Sequence, residues 1–254
     1  MWTVVAAAAP VLIYNASRLP LAGLDLNFLI LAVMVVVGSR VAVPIPRVSG
    51  RITVSDTFLF LSMLLYGGEA AVVLAAVEGV CSTLWISKRA LTIVFNAAVL
   101  TCSTFLTVWA LRLAFGDIVG VAHDGYSTNF LASICVMAMA QYLSNTLLIA
   151  AEKAFKLDAP LWKTWKTYYL WTSMTFLAGA SAAGITSQLV RIFGFPAVFA
   201  TVPIIAIIYL TYQTNLKNIE ASAAHADAAE RHVEELSLYV KELKRSEEER
   251  EKIL

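Results

Sequence analysis

PAVFATVPIIAIIYLTYQTNLKNIEASAAHADAAERHVEELSLYVKELKRSEEEREKIL, Pro196–Leu254, changes character at about Asn215. Before that point the chain is almost continuously apolar; after it comes a charged helical pattern with no glycine or proline to stop it. From Ile219 a 3-4 spacing runs through Ser222, Ala226, Ala229, Val233, Leu236, Val240, Leu243, Glu247, Arg250 and Leu254. The seam is strongest at Val233, Leu236, Val240 and Leu243. Alanines upstream and the charged Glu247 and Arg250 downstream leave a narrow, weak coiled coil. Such a marginal pairing suits a switch. A shift of the preceding span would pass directly into the tail.

Working outward, the rest of the chain is that of a membrane protein. Apolar residues make up 59% of the 254, and the charged share of 15% falls well below the roughly 25% of soluble domains. The net charge of +1 hides an asymmetry: residues 1–216 carry 12 basic and 8 acidic side chains, and residues 217–254 carry 7 and 10. Neither part has the basic face of a nucleic-acid binder, so DNA and RNA are excluded as partners. Cys81, Cys102 and Cys135 lie in apolar runs without metal-ligand spacing, which argues against zinc or a disulfide framework. The N-terminus has no basic n-region and reads as a retained span.

The expected fold class is all-α: a polytopic transmembrane bundle over 1–215, then a cytoplasmic coiled-coil helix over 216–254. Candidate spans are Trp2–Tyr14, Phe28–Val43, Ile52–Tyr66, Glu69–Ile86, Leu91–Phe115, Phe130–Ala151, Tyr168–Val190 and Pro196–Tyr212, about eight with six as the lower bound. Trp2–Tyr14 and Ile52–Tyr66 are short for a hydrocarbon core of about 30 Å, and are expected to be tilted, re-entrant or shielded by neighbours. Eight spans put both termini inside. Arg40, Arg47, Arg51, Lys88, Arg89, Lys153, Lys156, Lys163 and Lys166 then fall in cytoplasmic loops, leaving Arg18, Arg112 and Arg191 outside. Fusing Thr57–Ser87 into one kinked helix would move the Arg40/Arg47/Arg51 loop outside, so Gly67-Gly68 is read as a tight turn between two helices. Trp162 and Trp165 alternate with Lys163 and Lys166 in a short helix expected at headgroup level. The AGASAAG run, Ala178–Gly184, marks close helix packing, and His123, Asp117 and Asp124 read as a solvated loop.

Polar residues at depth are the candidate ligand-binding or relay groups. Glu78 is expected about 15 Å from each end of its span, at the bilayer midplane. An acid there must be protonated, paired or hydrated, and it marks either a functional site or a packing bond. Gln141 and Asn145, one turn apart, are its expected partners. Asn96 and Asp56 join the set, Asp56 also as a helix cap. The sequence holds no catalytic motif and no cofactor motif, so an enzyme is not expected.

The run Ser55-Asp56, FLFLSMLLYGG, Glu78 and Phe95-Asn96, with the tail HVEELSLYVKELKRSEEER, resembles the polytopic N-terminal modules of bacterial signalling proteins. Their outputs are cyclic di-GMP enzymes (GGDEF, EAL or HD-GYP domains) or histidine kinases of two-component systems. The resemblance covers about residues 40–110 and the tail. It implies a homodimeric sensor in the bacterial inner membrane, multi-pass, that binds a small-molecule ligand or reads membrane state and signals to a cytoplasmic output domain, the chain itself being a fragment. The same hairpin is similar to the substrate-binding subunits of energy-coupling-factor vitamin transporters. That second resemblance implies a small-molecule binder with no need of the tail.

Overall fold

The computed structural model describes residues 1–19, 25–40, 42–44, 51–53, 55–85, 87–123 and 125–200, and scattered positions from 202 to 236. The chain forms two compact units, 1–206 and 207–254. In the first the helices are α1 (Trp2–Arg18), α2 (Leu26–Gly38), α3 (Ser55–Tyr66), α4 (Gly68–Leu84), α5 (Ala90–Phe115), α6 (Ile118–His123), α7 (Thr128–Leu157), α8 (Leu161–Tyr168) and α9 (Ser173–Phe193). A 3-10 turn, Leu170–Thr172, leads into α9, and residues 197–200 are helical beyond it. The fold is all-helical apart from a ribbon of β1 (Ala42–Pro44) and β2 (Arg51–Thr53), antiparallel with Val43 opposite Ile52.

Among the described residues, three helices are long and apolar enough to cross a membrane: α5, α7 over Thr128–Lys156, and α9. These identify a membrane protein. The 13-residue α2 is shorter than the run expected over Phe28–Val43: capped by Asp25, it starts two residues earlier, at Leu26, but it ends at Gly38, where the chain turns before the ribbon.

The short α3 is the hub. Beyond its polar first turn, Ser55–Thr57, it is apolar on every side except for Ser62, and Phe58, Leu59, Phe60, Leu61, Met63 and Leu64 are all buried. A helix apolar all round belongs in an interior. Neighbours α2, α4, α6 and α9 enclose it, so the segment too short to face lipid alone is shielded by protein. At one end Gly38 of α2 meets the Ser55 backbone; at the other, Phe28 packs edge-on against Tyr66 with centroids 5.1 Å apart. Thus α2 and α3 are antiparallel.

Gly67 makes the expected turn from α3 to α4 at φ 88°, a left-handed conformation that favours glycine. Gly68 has a different task. A Cβ there would lie 2.3 Å from Val108 Cγ1, and one at Gly79 would lie 2.5 Å from Ala97 Cα. Gly68, Val72, Ala75, Gly79 and Thr83 form one buried face of α4 at helical spacing, and this face lets α5 approach backbone to backbone. Arg112, expected in an outer loop, is in the last turn of α5 and grips Glu69 with bonds of 2.7 and 2.8 Å.

The α5, α7 and α9 sequence continues the antiparallel stacking: Ser103 meets Ser144, Gly184 meets Ile134, and Tyr142 meets Phe176. Asp117 and His123 are exposed, as expected, but the segment Ile118–His123 is the helix α6 and not a loop; Asp124 lies outside the described residues. Ile118 and Ala122 are buried, Asp117 caps the Gly120 amide at 3.0 Å, and buried Gln188 donates to the Ala122 carbonyl at 2.9 Å. Arg191, also read as a loop residue, lies in α9 and donates to Gln188 Oε1.

In the second unit every described position is helical: 207, 210, 211, 214, 217, 218, 221, 222, 232, 233 and 236. Val233 and Leu236 are exposed in the single chain, whereas Val240 and Leu243 lie outside the described residues.

Candidate functional site

The antiparallel order puts the starts of α3 and α5 and the ends of α2, α4 and α7 at one end of the bundle. Arg40, Lys88, Arg89, Lys153, Lys156, Lys163 and Lys166 gather there. At the opposite end Arg112 is paired with Glu69, and Arg18 lies over the Tyr14 ring at 4.9 Å.

Glu78 belongs to the basic end. It is buried, and it accepts a hydrogen bond from the Ser55 hydroxyl at the first residue of α3. Because α4 stops at Leu84, Glu78 is six residues from that terminus, about 9 Å at 1.5 Å per residue. The other terminus is about 15 Å away. The acid is therefore nearer one end than the midplane expected for it. Asp56 follows Ser55 directly and lies within electrostatic range of Glu78. Cys81, one turn on, feels both Glu78 and Arg40, whose guanidinium lies 4.3 Å from the Trp85 ring centroid. Asn96 donates to Thr83 Oγ1 at 3.0 Å, which in turn donates to the Gly79 carbonyl at 2.7 Å. Ser55, Asp56, Glu78, Thr83 and Asn96 thus meet where α2, α3, α4 and α5 converge. The arrangement can hold protons or a cationic group near the bundle's basic end.

Gln141 and Asn145, expected beside Glu78, are elsewhere. Gln141 is buried against α5, accepting from Thr107 Oγ1 at 2.8 Å and donating to Ser103 Oγ at 3.2 Å and Thr104 Oγ1 at 3.3 Å. This network sits about two turns along α5 from Asn96. Glu78 reaches α3 from α4 and Gln141 reaches α5 from α7, and the periodicity of each helix alone could not reveal that separation. The Asn145 Oδ1 atom is buried without a hydrogen-bond partner among the described residues. The i,i+4 spacing of Ser103 and Thr107 was the signal for this second network. Gln188, another buried amide missed in the sequence, was marked only by its setting in an apolar run.

Outside the spans, Asp25 caps α2. It accepts the Phe28 amide at 2.9 Å, Asn27 Nδ2 at 2.9 Å and the Tyr66 hydroxyl at 3.1 Å. The Phe28 amide is the main cause holding its carboxyl below the usual range; partial desolvation opposes this. An apolar groove of about 350 Å³ opens between α1, α5 and α7, lined by residues including Val4, Val11, Cys102 and Leu148. Among the described residues, no three His, Cys, Asp or Glu side chains group to hold a metal. The chain matches no family model, no curated protein and no solved structure.

Proposed function

We propose that this chain is a membrane-embedded sensory and dimerisation module that passes a ligand or membrane signal through its last span into a coiled-coil helix, and thence to a cytoplasmic output domain. The chain itself carries out no chemistry. The observation that carries the reading is the tail: described positions through residue 236 are helical, and Val233 and Leu236, on the heptad seam, are exposed in the single chain. A homodimer would bury them. The eight-span topology with both termini cytoplasmic, in a bacterial inner membrane, is part of this proposal. Basic residues concentrated at one end of the bundle support it. Ser55, Asp56, Glu78 and Asn96 form the sensing site in this reading, next to the basic end of the bundle. The resemblance to signalling modules supports a cyclic di-GMP or two-component output.

Cysteine cross-linking in native membranes tests the seam. In a background without the three native cysteines, Val233→Cys and Leu236→Cys should cross-link efficiently, with neighbouring tail positions cross-linking weakly. Uniform or absent cross-linking, together with a vitamin-like molecule co-purifying with the chain, would favour the transporter-type binder.

A further inference from the structure

We infer that the outward face of α8 is a docking surface for anionic phospholipid headgroups. This helix, LWKTWKTY, contains two lysines and no acidic residue. Thr164 and Trp165 are buried, whereas Trp162, Lys163 and Lys166 are exposed. At 100° per residue these three share one outward face, with Trp162 and Lys166 one turn apart. The opposite face is fixed to the bundle. Trp165 donates from Nε1 to Thr146 Oγ1 at 2.9 Å, and its ring lies 5.8 Å from that of Tyr142. Trp162 stacks on Trp165 at 5.1 Å with 26° between the planes, so the exposed indole is held by the buried one.

The surroundings identify the occupant. Phe155, 89% exposed, and the exposed Leu143 and Leu147 continue the apolar outer surface of α7, a candidate membrane-crossing helix, towards α8. Acyl chains cover that surface in a bilayer, and the headgroups of the same lipids then lie level with α8. An indole suits the ester region, and an ammonium on a flexible stem reaches phosphate. The nearby acids are outnumbered and leave the region positive: Glu152 is bonded to Lys156, and the exposed Asp158 stands against Lys153, Lys163 and Lys166. Neither Lys163 nor Lys166 makes an ion pair among the described residues. A negatively charged lipid surface complements this face, whereas a zwitterionic one supplies the same apolar contact without the net charge.

Native mass spectrometry of the full chain in mild detergent, titrated with phosphatidylglycerol or phosphatidylcholine, tests the inference. Wild type should retain phosphatidylglycerol preferentially. Each lysine near an anionic surface accounts for about a fivefold change in binding, so K163Q/K166Q should lose most of a preference of about tenfold or more. The control K88Q/R89Q removes the same charge from another loop at that end and should keep the preference. An unchanged preference in K163Q/K166Q, or an equal loss in the control, overturns the inference. Thermal unfolding establishes that each variant is folded, and the single variants K163Q and K166Q carry the test if the double variant does not fold.

Discussion

Gly79 is the position where one added methyl group should be most costly. A Cβ there falls 2.5 Å from Ala97 Cα, 2.9 Å from Ala97 N and 3.1 Å from the Asn96 carbonyl oxygen. Ordinary contact begins at 3.4 Å, so the nearest atom is about 0.9 Å too close. Every obstructing atom is backbone, and no rotamer change can relieve the clash. The helices must separate, which strains the Asn96–Thr83 bond and the Glu78–Ser55 contact beside it. Overpacking of this kind costs about 1–3 kcal/mol, and immovable backbone puts Gly79→Ala at the upper limit. Better helix propensity returns about 1 kcal/mol. The net loss, about 2 kcal/mol, should lower the midpoint of thermal unfolding in detergent by about 4–8 °C. Gly68→Ala provides the contrast, since its obstruction is the Val108 side chain at 2.3 Å. Val108→Ala should rescue Gly68→Ala, whereas Ala97→Gly should not rescue Gly79→Ala, because the Ala97 Cα and N remain. Rescue of Gly79→Ala by Ala97→Gly would refute the backbone-contact reasoning, as would an unchanged midpoint for Gly79→Ala alone.

Gln141→Leu removes bonds to Ser103, Thr104 and Thr107, yet interhelical hydrogen bonds in membranes average only about 0.6 kcal/mol; thermal unfolding should show a loss of about 1–2 kcal/mol and an intact fold. Arg112→Gln removes the charge that Nη2 brings to both Glu69 oxygens and should destabilise by about 1 kcal/mol; a matching loss in Glu69→Gln with no further loss in the double variant would identify the pair as the cause. The carboxyl of Asp25 is held below its usual 3.8, so its contribution is fully present above that value and is lost as pH falls through the lower folded value. Asp25→Asn should therefore flatten the decline in thermal midpoint as pH falls into the acid range, and a parallel decline in both proteins would exclude the cap as its source. Glu78→Gln keeps an acceptor for the Ser55 hydroxyl, so it should express nearly as wild type while altering ligand or pH response; a variant that cannot fold, beside a wild type with no such response, would make Glu78 structural.

Much of the bundle was legible because apolar runs in a membrane chain have few alternatives to helix. The expected Leu91–Phe115 corresponds to α5 within a residue, and the Gly67 turn follows from the backbone freedom of glycine. Helix ends were less visible. The early stop of α4 at Leu84 moves Glu78 away from the midplane, and α6 was hidden because its apolar run, Ile118, Val119, Val121 and Ala122, is short and broken by Gly120. The site was legible in part. Glu78, Asp56 and Asn96 share one end of the bundle, but Gln141 and Asn145 do not join them, since inter-helix rotation is decided by packing at small residues such as Gly79 and Gly184. The shortness of the α3 segment left tilt, re-entrance and shielding open, and its place as the hub depends on four neighbours that no local pattern identifies.

The dimerising tail is tested most directly by native mass spectrometry of the full chain in mild detergent beside a form truncated after Asn215. The proposal predicts a dimer for the full chain and a monomer for the truncated one, with no small molecule needed to hold either together. A monomer in both forms, each retaining the same bound small molecule, would contradict it.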